Sequence, residues 1–223
     1  MIACLFDIDG TLLASGGAGK AALESALFGE FGVALRDQIP YAGRTDRAII
    51  RDLFQRHDIA DTADNLQKLL AGYLRRLPES LRRHDGRVLP GIEALLLELK
   101  QKDHVAVGLL TGNVRAGART KLGHFGLYGH FGFGGFGDHH FDRDEVAREA
   151  LAAVHACVGP HCTADRVWVI GDTPLDVRCA RAIGARVAAV ATGLHSCEAL
   201  APTKPDLLLP DLSDPAPLLR LIL

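Results

Sequence analysis

Asp7 and Asp9 stand two residues apart, directly after an unbroken apolar run from Ile2 to Phe6, and Gly10 and Thr11 follow them. Two further apolar runs also end in polar residues. Val105 to Leu110 leads into Thr111-Gly112-Asn113, and Val167 to Ile170 leads into Gly171-Asp172-Thr173-Pro174-Leu175-Asp176. On leaving an extended strand, the spacing of Asp7 and Asp9 aims both carboxylates near one site. Gly10 lets the chain turn there and the Thr11 hydroxyl can fix the turn. If the three runs are parallel strands with the first between the other two, their polar ends converge where such sheets bind ligands. Gathered carboxylates are unfavourable without a cation, and hard oxygen ligands with room for water suit Mg²⁺. An isolated D-x-D-G-T segment can be a mere turn or cap, but three polar strand ends together outweigh that reading.

The elements that must position these residues follow from the pattern of apolar side chains. The three runs do not alternate with polar residues, as expected of strands buried on both faces of a parallel sheet. Val187 to Val190, running into Thr192-Gly193, reads the same way. Phe131 to Phe136 is a strand candidate weakened by its glycines, and Leu207 to Leu209 is a candidate edge strand. Helical spacing recurs at Ile92, Leu95, Leu96 and Leu99, at Val146, Ala150, Leu151 and Val154, and at Val177, Ala180 and Ile183. Strand alternating with helix from about residue 88 onward predicts an α/β fold, a doubly wound, Rossmann-like parallel sheet.

The stretch between Leu13 and Val105 breaks that rhythm. Leu23, Leu27 and Phe31, then Ile49, Ile50, Leu53 and Phe54, then Leu66, Leu69, Leu70, Tyr73 and Leu77 all read as helix faces. An all-helical cap is therefore expected at residues 14–85, inserted into a core of residues 1–13 and 86–223. Gly16-Gly17 and Asp85-Gly86 are the expected hinges. Residues 123–140, rich in Gly, Phe and His, are expected to hold a strand and a tight loop, with His139 and His140 as loop residues rather than ligands.

Phe6-Asp7-Ile8-Asp9-Gly10-Thr11-Leu12, Leu110-Thr111-Gly112-Asn113 and Ile170-Gly171-Asp172-Thr173-Pro174-Leu175-Asp176 resemble the first, second and fourth motifs of the haloacid dehalogenase superfamily. The inserted helical module resembles that superfamily's first-type cap, so the resemblance spans the chain. It implies a Mg²⁺-dependent phosphatase acting on a small phosphorylated metabolite. Asp7 would be the nucleophile that forms an aspartyl phosphate, and Asp9 the general acid/base. Asp7, the main-chain carbonyl of Asp9 and Asp172 would hold the metal, with Asp176 helping directly or through water. Thr111, with the backbone N–H groups of Gly112 and Asn113, would bind the phosphoryl oxygens. The chemistry is sound: a carboxylate attacks phosphorus once a cation screens the substrate, and a positioned acid spares the leaving alkoxide its charge. Asp9 also argues for phosphate chemistry, because the superfamily's true dehalogenases lack a carboxylate there. It does not separate a phosphatase from a phosphomutase of the same architecture. A non-catalytic phosphate-binding module is the remaining alternative.

The third motif departs from the pattern. The superfamily supplies a Lys before a helix, yet no Lys occurs between Lys121 and Lys204. Arg143 is the expected replacement and Arg148 the alternative; an Arg fork is larger than an ammonium, with donors fixed in a plane. Gly43-Arg44-Thr45-Asp46 resembles the cap segment that reaches the substrate in phosphoglycolate phosphatase-like members. Arg44 would then pair with a substrate carboxylate or second phosphate, and phosphoglycolate is the substrate this suggests. Equally, Thr45 can cap the helix carrying Ile49 and Ile50.

Bulk properties exclude other classes. A net charge of −2 leaves no basic field for nucleic acid, and the arginines between Arg75 and Arg87 read as a solvated helix face. The five cysteines, odd in number and without a C-x-x-C pair, are expected to be reduced thiols. His155, Cys157, His161 and Cys162 lie close in sequence but match no zinc spacing. The first residues lack a basic segment, and no run approaches the ~18 apolar residues of a membrane span. A cytoplasmic protein without nucleic-acid or membrane partners is expected; the sequence does not specify its oligomeric state.

Overall fold

The structure, a computed structural model, describes residues 1–35 and 39–223. Along the chain, β1 (Ile2–Phe6) and β2 (Leu13–Ala14) precede three helices, α1 (Ala18–Phe31), α2 (Asp46–Arg56) and α3 (Ala63–Arg83). Next come β3 (Arg87–Val88), α4 (Ile92–Lys100), β4 (Val105–Leu110), α5 (Arg115–His124), β5 (Gly134–Gly135) and α6 (Arg143–Val158). The chain finishes with β6 (Val167–Gly171), α7 (Pro174–Ala182), β7 (Arg186–Val190), α8 (Cys197–Leu200), β8 (Leu207–Leu209) and α9 (Ala216–Ile222).

Six strands form one sheet in the order β5-β4-β1-β6-β7-β8, and every pairing in it is parallel. β1 sits between β4 and β6, where the winding changes direction, so Asp7 leaves the sheet at its topological switch point. The apolar run of β1 is unbroken because both faces are covered. Cys4 and Phe6 pack with α4, α5 and α9, including Ile92, Leu95, Leu122 and Leu218. Ala3 and Leu5 pack with α6 and α7, including Val146, Ala150 and Val177. This is the doubly wound α/β core expected from the pattern, with Leu207–Leu209 at one edge.

At the other edge, β5 is shorter than the Phe131 to Phe136 run suggested. Only Gly134 and Gly135 pair with β4, and a Cβ on Gly135 would overlap the backbone of α6. The flanking rings pack instead of extending the strand. Phe131 meets the edge of Phe6 with centroids 6.3 Å apart, and Phe133 lies over Gly108.

The three helices between β2 and β3 form a helical cap with its own apolar cluster, including Leu27, Ile50, Leu53, Phe54 and Leu77. β2 and β3 pair antiparallel, so the two connections to the cap form one ribbon. The basic stretch of α3 is locally satisfied: Arg75 and Arg76 reach Glu30 of α1 at 2.7 and 3.0 Å, and Arg82 and Arg83 pair with Glu79. No helix among the described residues is long and apolar enough to cross a membrane.

Leu5 is fully buried in the central strand. Leu5→Ala is expected to cost about 2–5 kcal/mol, from lost transfer energy and an unfilled cavity. Chemical denaturation of the two proteins measures this, and a cost below about 1 kcal/mol would contradict a rigid, close-packed core at β1.

Candidate active site

Asp7 is carried directly off β1; its N–H donates to the Ile170 carbonyl at 2.9 Å and its side chain is buried. Its Oδ1 lies 2.9 Å from Nη2 of Arg143, the buried first residue of α6. The same Nη2 reaches Asp176 Oδ1 at 2.5 Å and the Leu110 carbonyl at 3.3 Å, while Nη1 donates to the Gly43 carbonyl of the cap at 3.1 Å. Arg148, the alternative, is exposed and pairs with Glu145. Of the two arginines, Arg143 alone stands at the aspartates.

Asp172 follows β6 and is enclosed by backbone. Thr11 donates to its Oδ1 at 3.0 Å, and a Cβ on Gly10 or Gly193 would overlap its carboxylate. Gly10 has φ +88°, a conformation glycine alone adopts freely. Asp176 starts α7 as half of a capping box: its Oδ2 accepts from the Thr173 N–H at 2.9 Å and the Thr173 hydroxyl at 2.7 Å. Carboxylate oxygens of Asp7, Asp172 and Asp176 all lie within 4.8 Å of one another.

Asp9 is turned away from that cluster. Its Oδ2 accepts from Lys121 Nζ at 2.5 Å and from Asn113 Nδ2 at 2.9 Å, and Ser15 approaches its Oδ1 at 3.4 Å. Lys121 also donates to Asn113 Oδ1 at 2.7 Å. The sequence reading missed this lysine. The available signal was its place on α5, where Gly117, Ala118 and Leu122 mark the buried face. Thr111 is fully buried; its hydroxyl accepts from the N–H and Nδ2 of Asn113, which leaves its own hydrogen free to donate. Gly112 and Asn113, together with Asp7, Asp9, Lys121, Asp172 and Arg143, face a cavity of about 430 Å³, whereas the buried Thr111 is not part of its wall.

The cap closes the cavity, and its loop at residues 41–46 docks on the core. Asp46 N donates to the Gly112 carbonyl and Val114 N donates to Asp46 Oδ2, both at 2.8 Å. Thr45 caps α2, accepting from Ala48 N at 3.1 Å, and donates to the Phe141 carbonyl at 3.2 Å. Arg44 also lines the cavity, yet its guanidinium is held inside the cap, 2.8 Å from Asp52 Oδ2 and within hydrogen-bond reach of the Pro40 and Ala48 carbonyls.

Residues 4–190 match the family model of haloacid dehalogenase-like hydrolases. The chain belongs to that family. Solved structures of similar fold include a hydrolase from Pseudomonas syringae (23% identity, TM-score 0.73, covering 100% of this chain and 99% of that one). A predicted phosphoglycolate phosphatase from Haemophilus somnus is 18% identical (TM-score 0.72, covering 98% and 97%). CbbY from Rhodobacter sphaeroides, solved with phosphate, is 20% identical (TM-score 0.73, covering 96% of each chain). At these identities the likeness is one of fold. No curated protein matches the chain.

In this haloacid dehalogenase-like hydrolase the donor set fits a divalent cation. Three buried carboxylates face one guanidinium, which leaves two negative charges to balance. Oxygen donors of this kind suit Mg²⁺. Asp7 and Asp172 present the freer carboxylates; both oxygens of Asp176 are already engaged. His155 meets the Cys162 carbonyl at 3.2 Å, and Cys157 is exposed. His140 meets Glu149 at 3.0 Å and His139 is exposed, as loop residues. All five cysteines are unpaired.

Burial, opposed by Arg143 and reinforced by the Asp176 carboxylate, pushes Asp7 up to about 6. Burial, then Asp176 and Asp7, push Asp172 to about 8. Both values exceed the ordinary 3.8, so the metal-free folded protein binds more protons than the unfolded chain between those limits. Stability from this source is complete below about pH 4 and is lost as pH rises through about 6 and 8. In excess chelator, the melting temperature is therefore expected to fall between about pH 4 and 8, and Mg²⁺ should restore it most at the upper end. Calorimetry near pH 7 in buffers of different ionisation enthalpy should show protons released on Mg²⁺ binding. A flat melting profile with no proton release would contradict a carboxylate cation site.

Proposed function

We propose that this protein is a Mg²⁺-dependent phosphatase acting on a small phosphate ester through an aspartyl-phosphate intermediate on Asp7. The observation that carries the reading is the meeting of Asp7 with Asp172 and Arg143 at the switch point of the sheet. Asp7 and Asp172, the main-chain carbonyl of Asp9, and Asp176 behind them would hold the cation. When bound, Mg²⁺ supplies positive charge that screens the phosphoryl oxygens from the nucleophile and stabilises them during transfer.

The chain's own groups do the rest. Asp7 attacks phosphorus while the ester oxygen departs with a proton from Asp9. A water molecule then gives a proton to Asp9 and attacks the aspartyl phosphate, releasing inorganic phosphate and regenerating Asp7. Gly112 and Asn113 at the cavity wall would bind phosphoryl oxygens, and the buried Thr111 would join them through its free hydroxyl hydrogen. Arg143 balances the charge of Asp7 and the bound phosphoryl group. In the unliganded protein, burial would raise Asp9, but the Lys121 ammonium and the Asn113 amide hold it below the ordinary value. It therefore takes up its proton when the substrate dianion arrives, because nearby like charge favours the neutral acid.

The substrate is left as a small phosphorylated metabolite. Phosphoglycolate follows only if Arg44 meets the substrate carboxylate, and that requires Arg44 to leave Asp52.

A hydrolysis assay on an aryl phosphate and on sugar monophosphates with Mg²⁺ tests the reading. Parent protein should release inorganic phosphate, and Asp7→Asn should lower kcat by about 10³-fold or more. Equal rates would remove Asp7 from the mechanism. An isomeric sugar phosphate in place of inorganic phosphate would mark a phosphomutase, and no turnover by the parent a binding module. Arg143→Lys keeps the charge but loses the fork; it should lower kcat/KM about tenfold or more, and a loss under about twofold would contradict the role given to the guanidinium.

A further inference from the structure

Lys121 is a buried cation whose use the family motifs do not specify. It stands on α5 with its side chain 6% exposed, against Asp9 on one side and the cap on the other. A Cβ on Gly19 of α1 would lie 3.1 Å from Nζ, so glycine there leaves room for the amine. Of its three donors, one is spent on Asp9 Oδ2 at 2.5 Å and one on Asn113 Oδ1 at 2.7 Å. Asn113 closes the triangle: with its Oδ1 taken by the ammonium, its Nδ2 must point at Asp9 Oδ2 and Thr111 Oγ1, at 2.9 Å each. Two strong donors thus converge on one oxygen of Asp9. The other, Oδ1, has only the long Ser15 contact at 3.4 Å.

We infer that Lys121 is a positioning residue for Asp9: with Asn113 it anchors Oδ2 and leaves Oδ1 as the oxygen that exchanges a proton with the reacting groups. The inference rests on the reading of Asp9 as general acid/base. An oxygen that accepts from an ammonium and an amide has no free direction for a proton, so the proton of the neutral acid sits on Oδ1. Oδ1–H gives that proton to the ester oxygen as the P–O bond breaks and the bond from Asp7 to phosphorus forms. Oδ1 later takes a proton from the water that cleaves the aspartyl phosphate. Lys121 lines the cavity beside Asp9, and in this role it acts through Asp9 rather than on the phosphorus.

Leaving groups of different basicity separate this role from a structural one. A 4-nitrophenolate departs without a proton, whereas an alkoxide needs one, so damage to the acid falls on alkyl phosphates. The experiment compares kcat/KM for 4-nitrophenyl phosphate and a simple alkyl phosphate in the parent, Asp9→Asn, Lys121→Met and the double variant, all with saturating Mg²⁺. Lys121→Met is expected to lose about 10- to 100-fold more on the alkyl than on the aryl ester. In the Asp9→Asn background it should change either rate by less than about threefold, since residues acting as one unit are non-additive. Lys121→Gln, which keeps one donor toward Oδ2, should fall between parent and Lys121→Met, and it carries the same test if the methionine variant does not fold. Equal losses on both esters, or an undiminished loss in the Asp9→Asn background, would overturn the inference while leaving Asp9 in its role. If Asp9→Asn itself shows no preference between the esters, the reading of Asp9 fails, and this inference with it.

Discussion

Three buried carboxylates within 4.8 Å of one another, faced by a single guanidinium, set the terms for the rest of the molecule. Buried like charges are costly unless neutralised or paired. The fold meets that cost by placing β1 between β4 and β6, so that Asp7, Asp172 and the start of α6 are delivered to one crevice. Backbone then fills in around them. Gly10 and Gly193 lack the Cβ that would overlap the Asp172 carboxylate, and Thr11 spends its hydroxyl on it. The remaining negative charge is what a divalent cation would balance at this cluster.

Arginine in place of the family's third-motif lysine is more than a like-for-like exchange. A lysine presents one ammonium, whereas the Arg143 fork presents separate nitrogens to opposite sides. Nη2 serves Asp7, Asp176 and the Leu110 carbonyl; Nη1 serves the Gly43 carbonyl in the cap. The group that balances the Asp7 carboxylate is therefore also bonded to the cap segment at Gly43. Asp176 supports the arrangement from behind, since its other oxygen is locked to Thr173 at the start of α7.

Much of this was legible in the chain because parallel strands leave plain marks. Ile2 to Phe6, Val105 to Leu110 and Val167 to Ile170 are apolar on both faces, so their ends, and the polar residues at those ends, could be located without coordinates. Arg143 was legible by its position at the start of a helix. Other features depend on partners distant in sequence or on packing that periodicity does not carry. Lys121 passed unnoticed because a lysine on a helix ordinarily marks the solvent face; its burial is set by Asp9, 112 residues earlier, and by the cap. The capture of Arg44 by Asp52 is likewise a matter of side-chain geometry. β5 came out shorter than its aromatic run suggested because Phe131 and Phe133 pack as rings on Phe6 and Gly108.

The contacts between cap and core join the cap loop to the turn at Gly112 and Val114. The N-cap of α5 is Val114, whose side chain cannot cap it. Its first donors are met from elsewhere: Asp46 of the cap takes Val114 N, and Asp138, in the loop before α6, takes Arg115 N. Asp46 N reaches the Gly112 carbonyl in the same segment, so the residues expected to hold a phosphoryl group and the cap loop complete each other's hydrogen bonds. A hydrogen bond of this kind contributes about 0.5–1.5 kcal/mol net, because water replaces the lost partner when it breaks. The few such bonds at this seam, with that of Arg143 to Gly43, amount to several kcal/mol at most. Substrate binding energy can match a term of that size. A cap joined to the core by one short ribbon, packed on it through Val114 and Phe125 and tied by these hydrogen bonds, would remake the same bonds to Gly112 and Val114 each time it closed.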